Sequence, residues 1–291
     1  MKRILKKLTA ILLVLALACG LMAVTAQAYK KDAKLVVLGD SIAAGEGASD
    51  PANAYAQLLA AEQGFKLANH AVPGHKSDDL LGVLAEDKAA QKAIREADIV
   101  NLSIGGNDLL ASNVITLVLR LVFFDDSSGI DEYVESFRLN FAQIVKQIRK
   151  LNKNALFVVQ TQNNTMDGIP LVGDAYDAAL AELNVVFFDY LKENPGAYKI
   201  ADVHSFFKGH GGAFAHPDRL HPSDAGHAEI ARVVSAVIAG KKLTPPPADN
   251  SEAKVLEQIV TFILAAVDYL GYWLTVKTPW EIVMTAFRFM F

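Results

Sequence analysis

Five short apolar runs, Lys34–Leu38, Lys66–Ala71, Asp98–Ile104, Ala155–Thr161 and Tyr198–His204, alternate along this chain with stretches of helical periodicity. The runs are close to continuous, the pattern of strands covered on both faces. Between and after them, Ala54–Gln63, Ser77–Glu96, Asp131–Leu151, Asp174–Glu193 and Asp224–Ala239 predict helices, with Ser77 and Ser223 placed to cap two of them. Strand–helix–strand repetition calls for right-handed crossovers between parallel strands. The expected fold is therefore α/β: a three-layer α/β/α sandwich around a mainly parallel five-stranded sheet. No internal repeat is visible.

The ends of the 291-residue chain have a different character. Lys2, Arg3, Lys6 and Lys7 precede an apolar run, Leu8 to Val24, and Ala26-Gln27-Ala28 supplies a small-residue cleavage site. Residues 1–28 therefore predict a secretory signal peptide and a secreted or cell-envelope protein. Cys19, the single cysteine, lies inside that segment, so the mature chain is expected to have neither disulfides nor thiol chemistry. Lipid modification of Cys19 is a rival reading, though Ala16 stands where a lipobox favours leucine. The whole chain carries a net charge of −4. Without residues 1–28, which hold four basic and no acidic side chains, the balance becomes −8, which argues against a nucleic-acid partner. Residues 29–242 form the expected globular domain, and 243–250, with three consecutive prolines, a stiff linker. The tail, 251–291, is strongly apolar. It fits packing on a catalytic domain, lying on a membrane surface or spanning a membrane, and the sequence leaves all three open.

In doubly wound sheets, sites form at the carboxyl ends of strands, and here those ends carry the polar residues. Strand one ends in Gly39-Asp40-Ser41, and strand two is followed by Asn69-His70-Ala71-Val72-Pro73-Gly74. Strand three ends in Ser103-Ile104-Gly105-Gly106-Asn107-Asp108, and Asp218-Arg219-Leu220-His221-Pro222 follows strand five. Taken singly, each block reads as a turn. Together they are a complete set for acyl transfer. Ser41 can attack a carbonyl, His221 can take its proton, and Asp218, three residues earlier, can hold the imidazole. The Ser41 and Gly74 backbone N–H groups and the Asn107 side-chain amide can converge on an oxyanion.

These four ordered blocks resemble the SGNH/GDSL hydrolase superfamily of esterases and lipases. The likeness runs from about Leu35 to Gly240 and rests on Gly39-Asp40-Ser41, Gly74, Gly105-Gly106-Asn107-Asp108 and Asp218-x-x-His221-Pro222. It implies a flavodoxin-like sheet and hydrolysis of an ester or thioester through an acyl-enzyme, with no metal or other cofactor. Acyl esters or lipids are the substrates expected first, and acetylated carbohydrate or cell-wall polymer second. A protein that keeps the fold as a surface-binding module without the reaction is the alternative of another class.

Other chemistries fit less well. An α/β-hydrolase would want G-x-S-x-G, and Ala43 stands where the second glycine belongs. Neither G-x-G-x-x-G nor a P-loop occurs. His204, His210 and His216 recur at six-residue spacing in glycine-rich sequence, without the arrangement of a metal site. Two segments stay ambiguous. The apolar insertion 109–130, with Ser-Asn-Val-Ile-Thr-Leu-Val-Leu-Arg-Leu-Val-Phe-Phe at its centre, suits a core helix or an acyl-chain wall. Gln160 to Asn164 suits substrate orientation or a turn.

Overall fold

A computed structural model describes residues 29–110, 128–169 and 172–247. The expected signal peptide with Cys19, the core of the 109–130 insertion, the end of the linker and the apolar tail lie outside the described residues. No described helix is long and apolar enough to cross a membrane.

Five strands form one sheet: β1 (Lys34–Gly39), β2 (Lys66–Asn69), β3 (Ile99–Ser103), β4 (Leu156–Gln160) and β5 (Lys199–Ala201). Their order is β2-β1-β3-β4-β5, and every pairing is parallel. This is the flavodoxin-like order, in which the chain reverses direction across the sheet between β1 and β3. Alternate residues of β1 point into different cores. Val36 and Leu38 pack with Leu80, Ile94, Phe137, Phe141 and Phe187, from helices α3 (Ser77–Glu86), α4 (Lys88–Glu96), α6 (Ser128–Leu151) and α7 (Val172–Glu193). Leu35 and Val37 pack with Leu59, Phe207, Ile230 and Val234 on the other face, from α2 (Tyr55–Gln63), α8 (Val203–Phe207) and α10 (Asp224–Ile238). The three layers expected from the sequence are present. Short helices α1 (Ser41–Ala44), α5 (Gly106–Leu110) and α9 (Gly211–Phe214) occupy loops after strands.

Three expectations need correction. The helix read as Ser77–Glu96 is two. Asp87 sits extended between them, donating its N–H to Val83 and accepting Ala89 and Ala90 N–H groups with its side chain. One aspartate thus closes one helix and opens the next. Ser77 is the first helical residue rather than the cap, because its N–H and hydroxyl are committed to the Asp108 carboxylate. The strands are shorter than their apolar runs. At the end of β2 the Asn69 side chain takes the Ala71 N–H and gives to the Ala43 carbonyl. Ser223 caps α10 as expected, accepting from Gly226.

The central strand carries a buried polar group. Asn101 is wholly inaccessible, and its side-chain oxygen accepts from the Tyr55 hydroxyl at 2.9 Å and the Gln160 amide at 2.7 Å. Its amide donates to the Val158 carbonyl at 3.2 Å. An Asn101→Leu substitution would orphan two buried donors, each costing about 1–3 kcal/mol. The expected loss of stability, read from urea unfolding, is roughly 2–5 kcal/mol. A loss too small to detect would show that the network contributes nothing.

Candidate active site

Strand β1 ends at Gly39 with φ +136°, and a Cβ there would stand 1.7 Å from the Ser103 carbonyl oxygen. Only glycine permits that approach, which lets the Asp40 N–H bond to Ser103 and the chain turn sharply into α1. Asp40 caps α1 by accepting the Ile42 N–H at 3.1 Å, and Ser41 becomes the first residue of the helix. On β3, Gly105 (φ +120°) begins the turn into α5, where Asn107 lies. Gly74, after β2, is left-handed with open space beside its Cα. Ser41, Gly74, Asn107 and His221 line one cavity of about 400 Å³, in the crevice where the strand order reverses.

The sequence-identified groups meet there. His221 Nε2 lies 3.0 Å from Ser41 Oγ, across 180 residues of chain. His221 Nδ1 lies 2.7 Å from an Asp218 oxygen, and the other Asp218 oxygen accepts the Leu220 and His221 N–H groups at 2.9 and 3.0 Å. Partial burial works to raise the Asp218 pKa, but bonds from the His221 ring and these two N–H groups outweigh it and hold the carboxyl at about 2. Asp218 is therefore anionic wherever the imidazole would need it. The Asn107 amide donates to the His75 carbonyl at 3.0 Å, leaving its second hydrogen for a ligand. Among the described residues, neither the Ser41 nor the Gly74 N–H meets an acceptor. The loop after Ser41 comes hard against the histidine: a Cβ at Gly47 would fall 2.7 Å from His221 Cβ and 2.3 Å from the Pro222 carbonyl oxygen.

Several neighbours were not read from the sequence. His216 Nδ1 lies 3.1 Å from the Asp218 oxygen that faces His221, so two imidazoles flank one carboxylate. His227 is buried, accepts the Tyr55 N–H and donates to the Glu46 carbonyl, tying α10 to the loops after β1. Burial lowers its pKa. Of the segment Gln160–Asn164, Gln162 and Asn163 line the cavity. Gln160 serves Asn101, and Asn164 serves the turn before α7. The three histidines weighed as a metal site go separate ways: His204 pairs with Asp177 at 2.8 Å, His210 packs on Phe214 and His216 faces Asp218. A broader hollow of about 790 Å³ near the amino ends of β4 and β5 holds Arg149, Lys153 and Lys199 but none of the motif residues. The Arg149 guanidinium there is occupied by the Ala155 and Ala197 carbonyls.

The comparisons agree with the fold. A family model described as the GDSL-like Lipase/Acylhydrolase family matches residues 37–229. The uncharacterized protein YpmR of Bacillus subtilis (strain 168) is 28% identical over 220 residues, covering 72% of this chain and 82% of that protein. Among solved structures, a lipase from a goat rumen metagenome is similar with a TM-score of 0.59 at 23% identity, over 72% of this chain and 97% of that one. A phospholipase A1 from Streptomyces albidoflavus NA297 follows at 0.54 and 22%, over 69% and 98%. A variant of an acetyl xylan esterase from Geobacillus stearothermophilus has 0.52 and 20%, over 75% and 100%. At these identities, what the three structures share with this chain is the fold.

Asp40, beneath Ser41, is 2% exposed, and burial raises its pKa from 3.8 to about 7 against the backbone bonds that would lower it. Between those two values the folded state binds more protons than the unfolded, so Asp40's contribution to stability falls as pH rises from about 4 through 7. Asp40→Asn keeps an oxygen for Ile42 and removes the charge. Its melting temperature should gain on that of the wild type as pH rises from 5 to 8. A difference constant across that range would contradict the assignment.

Proposed function

The chain belongs to the GDSL-like lipase/acylhydrolase family, and on that premise we propose that it is a serine ester hydrolase working through an acyl-enzyme. The observation that carries this reading is the unbroken line of hydrogen-bond distances from Ser41 Oγ to His221 to Asp218, 3.0 and 2.7 Å. In the proposed cycle His221 Nε2 takes the Ser41 proton as Oγ bonds to the ester carbonyl carbon. The anionic carboxylate of Asp218 keeps the Nδ1 proton in place and stabilises the imidazolium that results. The carbonyl oxygen gains negative charge and is met by the Ser41 N–H, the Gly74 N–H and the free hydrogen of the Asn107 amide. Collapse expels the alcohol, which takes the proton from His221. Water, deprotonated by His221, then releases the acid by the same route and restores Ser41. No step calls on a metal or another cofactor.

Acyl esters, lipids included, are the proposed substrates. A second reading, deacetylation of a carbohydrate or cell-wall polymer, draws support from the polar wall of the cavity, where Glu46, Gln162 and Asn163 stand beside Ile42, Leu110 and Leu220. Export under the control of residues 1–28, and membrane-surface contact through 251–291, belong to the same proposal and rest on sequence alone.

Ser41→Ala should fold, fail to label with a fluorophosphonate and lose several orders of magnitude in kcat. Labelling of the wild type also separates an enzyme from a silent binding protein, because an unactivated serine does not react. A wild type that neither labels nor hydrolyses would refute the enzyme reading. Asn107→Ala should cost about 2.7–4 kcal/mol in the transition state, appearing in kcat with little change in KM. A raised KM with kcat intact would make Asn107 a binding residue instead. Turnover of p-nitrophenyl esters of increasing chain length decides the substrate class: rising with length for lipid, confined to acetyl for carbohydrate.

A further inference from the structure

The turn that carries Asp218 and His221 contains a backbone oddity. Arg219, between them, is left-handed at φ +59°, one of two described residues other than glycine with a positive φ. Such a conformation persists in a residue with a Cβ only where its surroundings hold it. Two bonds do so here. The Arg219 N–H donates to the His216 carbonyl at 2.9 Å, and the Arg219 carbonyl accepts the hydroxyl of Thr165 at 2.9 Å.

The second bond bears on the proposed chemistry. The carbonyl of Arg219 and the N–H of Leu220 belong to one planar peptide unit and cannot turn independently. The N–H end of that unit donates to Asp218 Oδ1 at 2.9 Å, while Asp218 Oδ2 faces His221 Nδ1 at 2.7 Å. Whatever fixes the carbonyl end therefore aims the N–H end, and with it the carboxylate that orients the imidazole. Thr165 is well suited to fix it. It is 2% exposed, and β-branching restricts its side chain to few rotamers. Its neighbour Asn164 is anchored on both sides, donating to the Gly173 carbonyl at 3.0 Å and accepting the Met166 N–H at 2.9 Å. The loop after β4 thus provides a rigid base on which the exposed Asp218 turn is held.

We propose that Thr165 is a positioning residue for ester hydrolysis: through the Arg219–Leu220 peptide it sets the direction of the Asp218 carboxylate toward His221. The inference rests on the catalytic roles proposed above for Asp218 and His221.

The experiment compares wild type, Thr165→Val, Thr165→Ala and Thr165→Ser in kcat and KM on p-nitrophenyl acetate, in the rate of fluorophosphonate labelling and in melting temperature. Small misplacements of catalytic groups can cost up to about 100-fold. The Val and Ala variants should lose about 10-fold in kcat and in labelling rate with KM within about two-fold, and Ser should recover most of both. If Val does not fold, Ala and Ser give the same comparison. Folded variants without the hydroxyl that turn over and label like wild type would overturn the proposal, even if they melt earlier. So would a Ser variant as slow as Ala. A wild type inert to both ester and probe would instead overturn the hydrolase reading beneath it.

Discussion

The pairing of β1 with β3 is the constraint from which the rest of the site follows. In that register Gly39 lies opposite Ser103, and the Asp40 N–H bonds to the Ser103 carbonyl just beyond the last paired residues. Two strands separated in sequence by α1 to α4 and by β2 are thereby made to end at one level. The serine on the first and the Gly105-Gly106-Asn107 turn on the other then share a crevice. A side chain at position 39 would meet the Ser103 carbonyl and force the strands apart. The close approach of two backbones thus sets the spacing between Ser41 and the Asn107 turn, which side-chain packing alone would leave looser.

Burial and charge divide the polar groups around that crevice into two kinds. Asp40 and Asn101 are buried and Asp108 is half-buried, and all three spend their hydrogen bonds on the frame: a helix start, the centre of the sheet, and Ser77. Burial raises the pKa of both carboxylates, as expected for anions removed from water. Asp218 lies closer to solvent and keeps its charge through donors on its own turn. The role proposed for Asp218, stabilising a transient imidazolium, requires an ionised carboxylate, and its exposed position favours that state. Asp40 and Asp108 support the loops, and the exposed Asp218 faces the histidine.

Much of this was legible in the sequence for a local reason. Each of Gly39-Asp40-Ser41, Gly105-Gly106-Asn107-Asp108 and Asp218-x-x-His221 packs its geometry into a few consecutive residues at a strand end, so spacing alone suggests which groups can meet. The parallel sheet and its two helical layers follow from the same alternation of buried runs and helices, whereas the flavodoxin-like arrangement was only what the family resemblance implied. What stayed hidden depends on partners distant in the chain. Ser77 looks like a cap until Asp108, 31 residues on, claims its hydroxyl. Thr165 lies just beyond Gln160–Asn164, and its partner carbonyl is 54 residues away. His216 was weighed only as one of three evenly spaced histidines, yet the fold of the Ala215–Pro222 hairpin turns it onto Asp218. The break at Asp87 was the exception, since an aspartate before Lys88-Ala89-Ala90 is a local helix-start signal that continuous periodicity masked.

Ser41 and His221 stand at nearly opposite ends of the domain's sequence, 180 positions apart, yet at hydrogen-bond distance in the folded molecule. Ser41 meets His221 only where the last loop and α10 pack beside α2. Closing so long a loop is among the slower contacts a chain can make. In the proposed mechanism the Ser41–His221 pair is therefore a property of the finished fold. On the roles proposed above, a chain that stops short of His221 would carry Ser41 without the base assigned to ionise it.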